Sequence, residues 1–253
     1  MFKGSILKKI KGKKKSLIIK FLHFYYSQKE NKEIIKLINN CNKLDFNTST
    51  IYDLWINYFI LRQVVREKIE GDIVECGIWK GISLVFFKKI LNFYNIENKR
   101  IYGYDTFEGF PEPGKNDFTS EGQSMKKRFD ELYLKKDSSN WNYCSLIDVK
   151  KNLISQNIDL ENIELIKGKT EETIINKENV PQKISILKLD TCLYDSTKIE
   201  LEILFPKIQK GGVLIIDNFN NFKGVQVATN DYFKKKNYRI NHNKLSGQIM
   251  IKV

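Results

Sequence analysis

From residue 72 to the end of the chain, short apolar segments alternate with helical segments of about a dozen residues. Strands separated by helices of this length form a parallel sheet with helices on both faces, because a parallel crossover needs a long connection. The last two strands have only a short connection, residues 242–247, which predicts an antiparallel hairpin at the sheet edge. The sequence therefore predicts an α/β fold with a mostly parallel seven-stranded sheet. The predicted strands are residues 72–76, 100–105, 163–167, 184–190, 212–217, 238–241 and 248–252, and the predicted helices between them are residues 83–94, 145–156, 196–208 and 225–235.

The chain before this alternation predicts helices. We expect residues 1–46 to form a basic helical extension and residues 47–253 to form the domain that contains the sheet. A second helix is predicted over residues 52–65, with Gly71 as its stop signal. This region has more apolar helical faces than one sheet edge needs, which favours a homodimer. The apolar face of the extension consists of Ile34, Ile35, Leu37 and Ile38. The cap candidates of the second helix are Thr48, Ser49 and Thr50.

A basic start leads directly into an apolar stretch at the beginning of the chain. Lys20 interrupts the apolar residues and no small-residue cleavage site follows, so we expect no signal peptide. No run of about 18 apolar residues occurs, so we expect no membrane-spanning helix. The favoured interpretation is a solvated basic start and an amphipathic helix. The alternative is peripheral docking to an anionic membrane surface through Phe21, Leu22, Phe24 and Tyr25.

A net charge of +13 raises the question of a nucleic-acid partner. The lysines are largely scattered, which is typical of solvated surfaces, so we expect no nucleic-acid partner. A basic surface still favours an anionic acceptor, such as a sugar that carries phosphates. Four cysteines without a pairing pattern predict reduced thiols and a cytoplasmic location. Only two histidines are present, which argues against a zinc site.

The first motif, GDIVECGIWKGIS, spans residues 71–83. Glu75 ends a predicted strand, and Gly77 and Gly81 enclose a turn before a helix. Glycines at such a turn let the backbone approach a ligand closely, and the helix start offers free N–H groups. The spacing differs from the dinucleotide pattern G-x-G-x-x-G. An acidic side chain here suits the cationic aminoacyl and sulfonium groups of S-adenosylmethionine, whereas it would repel a pyrophosphate.

The second motif, IYGYDTFEGFPEP, places Asp105 at the end of the next predicted strand. An acidic residue at this position can accept hydrogen bonds from both ribose hydroxyls of a bound adenosine. Sites for NAD and for S-adenosylmethionine share this feature. Asp105 therefore indicates an adenosine cofactor without choosing between the two.

The third set of residues follows two strands that are separated by one strand–helix–strand unit. Asp190 ends ILKLD, and Asp217 and Asn218 end VLIIDN, 27 positions from Asp190 to Asp217. If the two strands are adjacent and parallel, the three side chains meet at the carboxyl edge of the sheet. Carboxylate and amide oxygens are hard ligands that suit Mg²⁺ or a similar cation. The sequence therefore predicts a metal site at this edge.

Together these blocks resemble the macrocin O-methyltransferase (TylF) family. The segments that carry the resemblance are GDIVECGIWKG, YDTFEGFPEP, LKLDTCLYDSTKIELEILFPKI and GGVLIIDNF, and it extends from about residue 50 to the C-terminus. It implies a Rossmann-like, class I enzyme that uses S-adenosylmethionine and Mg²⁺ to methylate a hydroxyl of a small sugar-like acceptor. The resemblance implies metal ligation by Asp190, Asp217 and Asn218, catalytic roles for Asp190 and Asp217, and cofactor contacts at Glu75, Gly77, Gly81, Ser83, Asp105, Thr106, Gly168 and Thr170.

The chain also departs from the family pattern. Cys192 stands where the family usually has a second acidic residue, and Asn218 contributes an oxygen but no charge. Many members carry a histidine where this chain has Asn221, so the general base is open between Asp217 and Glu108.

Two further expectations concern the acceptor and the rival functions. Residues 112–143 predict a long excursion over one face, whose aromatic residues either stack on a sugar or pack within the loop.

The rival functions are a nucleic-acid methyltransferase, a dehydrogenase and a membrane-associated scaffold. The first lacks its expected motif, the second is disfavoured by the glycine spacing, and the third leaves the acidic strand ends unexplained.

Overall fold

A computed structural model of the chain describes residues 12–234, 236, 238, 241–242 and 248–253, without the side chains of residues 12–15 and 241–242. Helices and strands alternate along most of it. The helices are α1 (Gly12–Ser27), α2 (Lys32–Asn42), α3 (Ile51–Arg66), α4 (Ile82–Phe93), α5 (Met125–Glu131), α6 (Leu146–Ser155), α7 (Thr170–Thr173), α8 (Tyr194–Ile203) and α9 (Lys223–Phe233). The strands are β1 (Asp72–Cys76), β2 (Ile101–Asp105), β3 (Tyr133–Lys135), β4 (Ser138–Ser139), β5 (Ile163–Lys167), β6 (Ile184–Leu189), β7 (Ile208–Ile216), β8 (Asn241–His242) and β9 (Ile249–Lys252).

The main sheet has seven strands in the order β5-β2-β1-β6-β7-β9-β8. The first five of these run parallel, whereas β9 pairs antiparallel with β7 and with β8. This confirms the predicted mostly parallel sheet with an antiparallel pair at its edge. Strands β6 and β7 are direct neighbours, so the segments that follow them meet at the same edge. The N-terminal part of the predicted strand 238–241 lies largely outside the described residues.

Helix α8 and strand β7 depart most from their predicted bounds. The predicted helix 196–208 is too long at its C-terminal end, because α8 ends at Ile203 and a short 3-10 turn at Phe205–Lys207 follows. Pro206 lies in that turn and disfavours helical geometry in the residue before it. The predicted strand 212–217 is too short, because β7 already begins at Ile208 and passes through Gly211 and Gly212.

Two apolar layers cover the two faces of the sheet. One contains buried residues of α2, α3, α4 and α6, and the other contains buried residues of α8 and α9. Ile34 and Ile38 of α2 belong to the first layer and have no exposed surface. Helix α2 therefore packs with the helices of the sheet-containing part, and a domain boundary at residue 46 stays a prediction. None of the helices among the described residues is long and apolar enough to cross a membrane.

The excursion at residues 112–143 contains secondary structure, namely α5 and the two-stranded ribbon β3–β4. Trp141 is buried and stacks on Phe110 with ring centroids 4.2 Å apart. Asp117 is also buried, and its carboxylate accepts hydrogen bonds from the backbone N–H groups of Gly114 and Tyr194, both at 2.8 Å. The excursion is therefore held against the start of α8, and Trp141 packs within the loop.

Candidate active site

A cleft of about 300 Å³ lies at the carboxyl edge of the parallel strands. This volume and location match the usual ligand site of an open α/β sheet. The predicted site residues that line it are Glu75, Gly77, Ser83, Asp105, Thr106, Gly168, Thr170, Asp190, Asp217 and Asn218. Gly81 does not line the cleft, although Ser83 two positions later does; Gly81 is the residue before α4 and has a φ of 81°.

The turn after β1 brings two strands close together. Gly77 has a φ of 83°, and a Cβ atom on it would lie 2.6 Å from the backbone oxygen of Asp190. The backbone N–H of Asp190 in turn donates to the carbonyl of Cys76 at 2.8 Å. A side chain at position 77 would therefore push β1 away from β6.

Lys188 is the centre of the charged part of the cleft. It lies in β6, is buried, and its ammonium group is 2.7 Å from Glu75 Oε1, 3.2 Å from Asp190 Oδ2 and 3.5 Å from Asp217 Oδ2. Burial alone would lower the pKa of this ammonium group, but the three carboxylates hold the pKa well above its usual range. Lys188 thus stays charged and draws the ends of three strands together.

Glu75 is almost completely buried, yet only one of its carboxylate oxygens has a partner. Oε1 accepts from Lys188, whereas Oε2 has no hydrogen-bond partner among the described residues. A buried oxygen without a partner is costly, so it marks a place where a ligand donor fits.

The side chains at the ends of β6 and β7 meet as the sequence predicts. Asn218 Nδ2 donates to Asp190 Oδ1 at 2.9 Å, and Asn221 Nδ2 donates to Asn218 Oδ1 at 2.8 Å. Burial, and then repulsion from Asp217, raises the pKa of Asp190 well above its usual range. Cys192 also lies here, 3.9 Å from Asp190 Oδ1 through its sulfur atom, and its backbone has a φ of 66°.

These side chains fit a divalent cation by donor type. Asp190, Asp217 and Asn218 offer oxygen atoms, the ligands that Mg²⁺ prefers. The described residues contain no group of three or more His, Cys, Asp or Glu side chains that could hold a metal ion, so the donors at this edge are two carboxylates and the amide oxygen of Asn218. That oxygen faces Asn221 here, and Lys188 already balances part of the carboxylate charge. The donor set therefore suits a weakly bound Mg²⁺ ion.

Asp105 organises the loops around it. Its Oδ2 accepts from the backbone N–H of Trp79 and its Oδ1 from that of Phe107, both at 2.8 Å. Burial raises the pKa of Asp105, although these backbone donors act in the opposite direction. The carboxylate lies in the cleft and retains lone pairs for a ribose hydroxyl, since each oxygen can accept more than one hydrogen bond.

The other predicted cofactor residues have partners inside the protein. Ser83 Oγ accepts from Lys188 at 3.3 Å, and Thr106 Oγ1 donates to the carbonyl of Gly109 at 2.6 Å. Thr170 Oγ1 donates to the buried Glu200 at 2.7 Å. The backbone N–H of Gly168 donates to the carbonyl of Asp105 at 2.9 Å. These contacts shape the cleft wall beside the β2 and β5 ends.

Other residues that line the cleft were not predicted from the sequence, among them two residues of α3, one of the turn after β1 and one before β9. Asp53 and Asn57 project from α3, one helical turn apart, and Asp53 Oδ1 and Asn57 Oδ1 have no hydrogen-bond partner among the described residues. Trp79 belongs to the turn after β1. Gln248 Nε2 donates to Asp217 Oδ2 at 3.1 Å. Only tertiary packing brings α3 and the residue before the last strand to this edge, so no local motif reveals Asp53, Asn57 or Gln248, whereas Trp79 lies within the first motif.

Glu108 does not line the cleft. Its carboxylate forms ion pairs with Lys167 at 2.8 Å and Lys135 at 3.2 Å. The hydrogen bonds from these two lysines lower the pKa of Glu108. A weakly basic carboxylate outside the cleft is a poor proton acceptor, which leaves Asp217 as the favoured candidate of the two.

The charge of the cleft is opposite to that of the whole chain. Its lining includes two lysines, Lys169 and Lys188, and six acidic residues. The six are Asp53, Glu75, Asp105, Glu171, Asp190 and Asp217. This lining favours a ligand with cationic groups.

Solved structures share this fold. The O-methyltransferase NovP superposes with a TM-score of 0.70 at 19% sequence identity, covering 94% of this chain and 97% of that one. The calicheamicin methyltransferase CalS11 superposes with a TM-score of 0.61 at 20% identity, covering 100% and 98%. The architecture is that of a class I methyltransferase, which confirms the predicted fold class.

Residues 58–247 match the model of the macrocin O-methyltransferase (TylF) family. The chain therefore belongs to this family, as the four sequence blocks predicted.

Characterised relatives are similar to the chain over part of their length. Demethyldecarbamoylnovobiocin O-methyltransferase of Streptomyces niveus is 22% identical over 69% of this chain and 63% of its own length. Mycinamicin III 3''-O-methyltransferase of Micromonospora griseorubida is 23% identical over 63% of this chain and 59% of its own length. The matched part thus spans less than two thirds of these relatives.

Proposed function

We propose that this chain transfers a methyl group from S-adenosylmethionine to a hydroxyl group of a sugar or sugar-containing small molecule. The main support for this cofactor is Glu75, a buried carboxylate in an acidic cleft, one of whose oxygens has no hydrogen-bond partner among the described residues. S-adenosylmethionine brings an ammonium and a sulfonium group to such a cleft, whereas a dinucleotide would bring a repelled pyrophosphate. Membership of the family supports the same cofactor and the same reaction.

In the proposed reaction, an acceptor oxygen attacks the methyl carbon as the bond from that carbon to sulfur breaks. The products are a methyl ether, S-adenosylhomocysteine and a proton, which a basic group must accept. Asp217 is our candidate for this group, with Asp190 beside it to orient the acceptor. Lys188 keeps both carboxylates in place through its contacts at 3.2 and 3.5 Å.

In this proposal Asp190, Asp217 and Asn218 would hold a Mg²⁺ ion. When bound, such an ion lowers the pKa of an acceptor hydroxyl and orients neighbouring oxygens. Support comes from the oxygen-only donor set and from the excess of carboxylates over Lys188 in its surroundings.

The names of related enzymes support the proposed acceptor class. The relatives are named for O-methylation of glycosylated natural products, including a rhamnosyl tetracenomycin in Streptomyces olivaceus. CalS11 is also described as a TDP-rhamnose 3'-O-methyltransferase. The acidic lining favours an uncharged sugar ring at the reaction centre, and any phosphate would fit better near Lys169. The same lining disfavours a nucleic-acid acceptor, whose backbone is anionic.

A methyl-transfer assay tests this proposal. The full chain is incubated with methyl-labelled S-adenosylmethionine and a panel of TDP-sugars and glycosylated natural products, with Mg²⁺ or with EDTA. We expect label in at least one sugar, loss of transfer in EDTA, and recovery with added Mg²⁺.

Matched variants separate the parts of the proposal. Asp217→Asn should reduce turnover by about 100-fold or more, as for loss of an acid–base group, whereas Asp231→Asn on the exposed side of α9 should not. Unchanged turnover in EDTA would contradict the proposed role of the metal and leave the rest of the proposal standing. Binding of S-adenosylmethionine without transfer of label to any sugar would contradict the proposed class of acceptor.

A further inference from the structure

The outer face of α1 exposes a continuous apolar stripe. Its side chains are between 37% and 65% exposed. The spacing of the residues places all of them on one side of the helix. They are Leu17, Ile18, Phe21, Phe24 and Tyr25. Exposed apolar residues that form a contiguous patch mark an interaction surface more often than isolated ones do.

The opposite face of α1 already attaches the helix to the rest of the protein. Tyr26 packs against Phe59 and Trp55 of α3, with ring centroids 4.9 and 5.4 Å apart. Trp55 Nε1 also donates to His23 Nδ1 at 3.0 Å. The outer stripe is therefore not needed to hold α1 in place, and its apolar character has another cause.

Basic residues accompany the stripe in the sequence. The first 29 residues contain nine lysines and no acidic residue, although the whole chain has an excess of only thirteen positive charges. Most of the net charge thus belongs to this short segment, while the catalytic cleft is acidic. Lysines around aromatic and aliphatic residues are the composition of helices that lie in the interface of anionic membranes.

We propose that α1 docks the protein on an anionic lipid surface, to which the lysines of the first 29 residues add electrostatic attraction. The aromatic side chains enter the headgroup region, and the lysines are attracted to the anionic leaflet. The cleft lining contains no residue of α1, so this contact uses a different part of the surface.

A second copy of the chain fits this surface less well. The stripe runs from Leu17 to Tyr25, which is about 14 Å of a helix about 10 Å wide, so it covers about 140 Å². A standard protein interface needs about 800 Å² from each partner. The nine lysines and the absence of acidic residues in the first 29 residues also oppose self-association of this segment, whereas they favour binding to anionic lipid.

Co-sedimentation of the full chain with vesicles tests the proposal. One set of vesicles contains phosphatidylcholine, and the other contains phosphatidylcholine with phosphatidylserine. We expect binding to the second set only, with a loss at high salt because the lysine contribution is screened. The double variant Phe21→Ser and Phe24→Ser should bind at least ten times more weakly. Replacing Lys13, Lys14 and Lys15 by Gln should also weaken binding to the anionic vesicles.

A matched double variant controls for the loss of exposed apolar residues. Ile147 and Ile154 of α6 are 66% and 59% exposed and lie seven positions apart on one helix, and changing both to Ser should leave vesicle binding unchanged. The proposal is overturned if the wild-type chain does not sediment with anionic vesicles, or if the Phe21 and Phe24 variant sediments as well as the wild type. If the wild-type chain does not bind vesicles, and light scattering shows a dimer that the Phe21 and Phe24 variant dissociates, the stripe is an interface with a second copy of the chain.

Discussion

At the scale of single residues, the cleft depends on Lys188. One buried ammonium group contacts three carboxylates from three strand ends, and these carboxylates would otherwise repel one another. Removal of one member of a buried charged group leaves the others without compensation, which is more costly than the loss of an exposed ion pair.

Lys188→Met should therefore lower the free energy of unfolding by about 3–5 kcal/mol. Urea unfolding monitored by circular dichroism measures this change. Lys183→Met is the matched control, because Lys183 lies just before the same strand and pairs with Glu70 on the exposed surface. A loss of less than about 1 kcal/mol in Lys188→Met, comparable to a surface pair, would show that the carboxylates do not depend on this ammonium group.

Several site residues could be predicted from the sequence, and others could not. Glu75, Asp105, Asp190 and Asp217 each end a strand, and a parallel sheet brings strand ends together. Lys188 left a signal in the sequence, because it is the only charged residue of the buried strand β6. The other residues of this strand are apolar, except for Ser185. Asp53 and Asn57 left none, because their place in the cleft depends on how α3 packs against the sheet.

At the scale of elements, the approach of β1 to β6 requires glycine at position 77. A Cβ atom there would meet the backbone of Asp190 at 2.6 Å, and backbone cannot move aside as a flexible side chain can. At position 81 the nearest atom is a side-chain methyl of Val149 at 3.2 Å. The two glycines share a positive φ but differ in their surroundings.

Gly77→Ala should accordingly destabilise the protein more than Gly81→Ala. Both variants carry the cost of a left-handed backbone at a non-glycine residue, roughly 1 kcal/mol, and only Gly77→Ala adds a clash with backbone. Thermal unfolding of the two variants side by side provides the comparison. Equal shifts in Tm would mean that β1 and β6 separate at little cost.

Element boundaries were predicted well where local signals were strong. Strands β1 and β5 have the predicted bounds, because apolar segments between turn residues define both ends. The end of α8 was predicted too late, since its apolar periodicity continues into the turn that Pro206 requires. The ribbon in the excursion was not predicted, because β3 and β4 are only three and two residues long and depend on each other for pairing.

At the scale of the whole molecule, a buried acid couples stability to pH. Glu200 has no exposed surface, and its oxygens accept from Thr170 at 2.7 Å and Thr191 at 3.2 Å. Burial raises the pKa of Glu200 to about 8, from 4.5. The folded protein therefore holds a proton that the unfolded chain releases between these values, so this residue lowers the free energy of unfolding as pH rises through that window.

Glu200→Gln should remove this contribution. The stability of the variant relative to the wild type should rise between about pH 4.5 and pH 8, by about 1.4 kcal/mol per pH unit, and stay constant above that range. Urea unfolding of both proteins across this pH range gives the difference directly. A difference that does not change with pH would mean that Glu200 is ionised in the folded state.

The distribution of charge could be predicted only in part. Composition gives the net charge of +13 and a general expectation of an anionic partner. The folded molecule gathers acidic residues in the cleft, and this depends on which strand ends come together, whereas the basic character of the N-terminal segment follows from the sequence alone. The expectation of an anionic partner thus applies to the N-terminal segment better than to the cleft.

The central claim is that the cleft binds S-adenosylmethionine through Glu75. Calorimetric titration of S-adenosylhomocysteine and S-adenosylmethionine into the wild type, Glu75→Gln and the exposed control Glu70→Gln tests it most directly. We predict saturable binding of both ligands to the wild type and the control, and binding at least tenfold weaker in Glu75→Gln, the effect of one lost charge-assisted hydrogen bond of roughly 1.5–3 kcal/mol. Absence of binding to the wild type, or equal affinity in Glu75→Gln, would contradict the account.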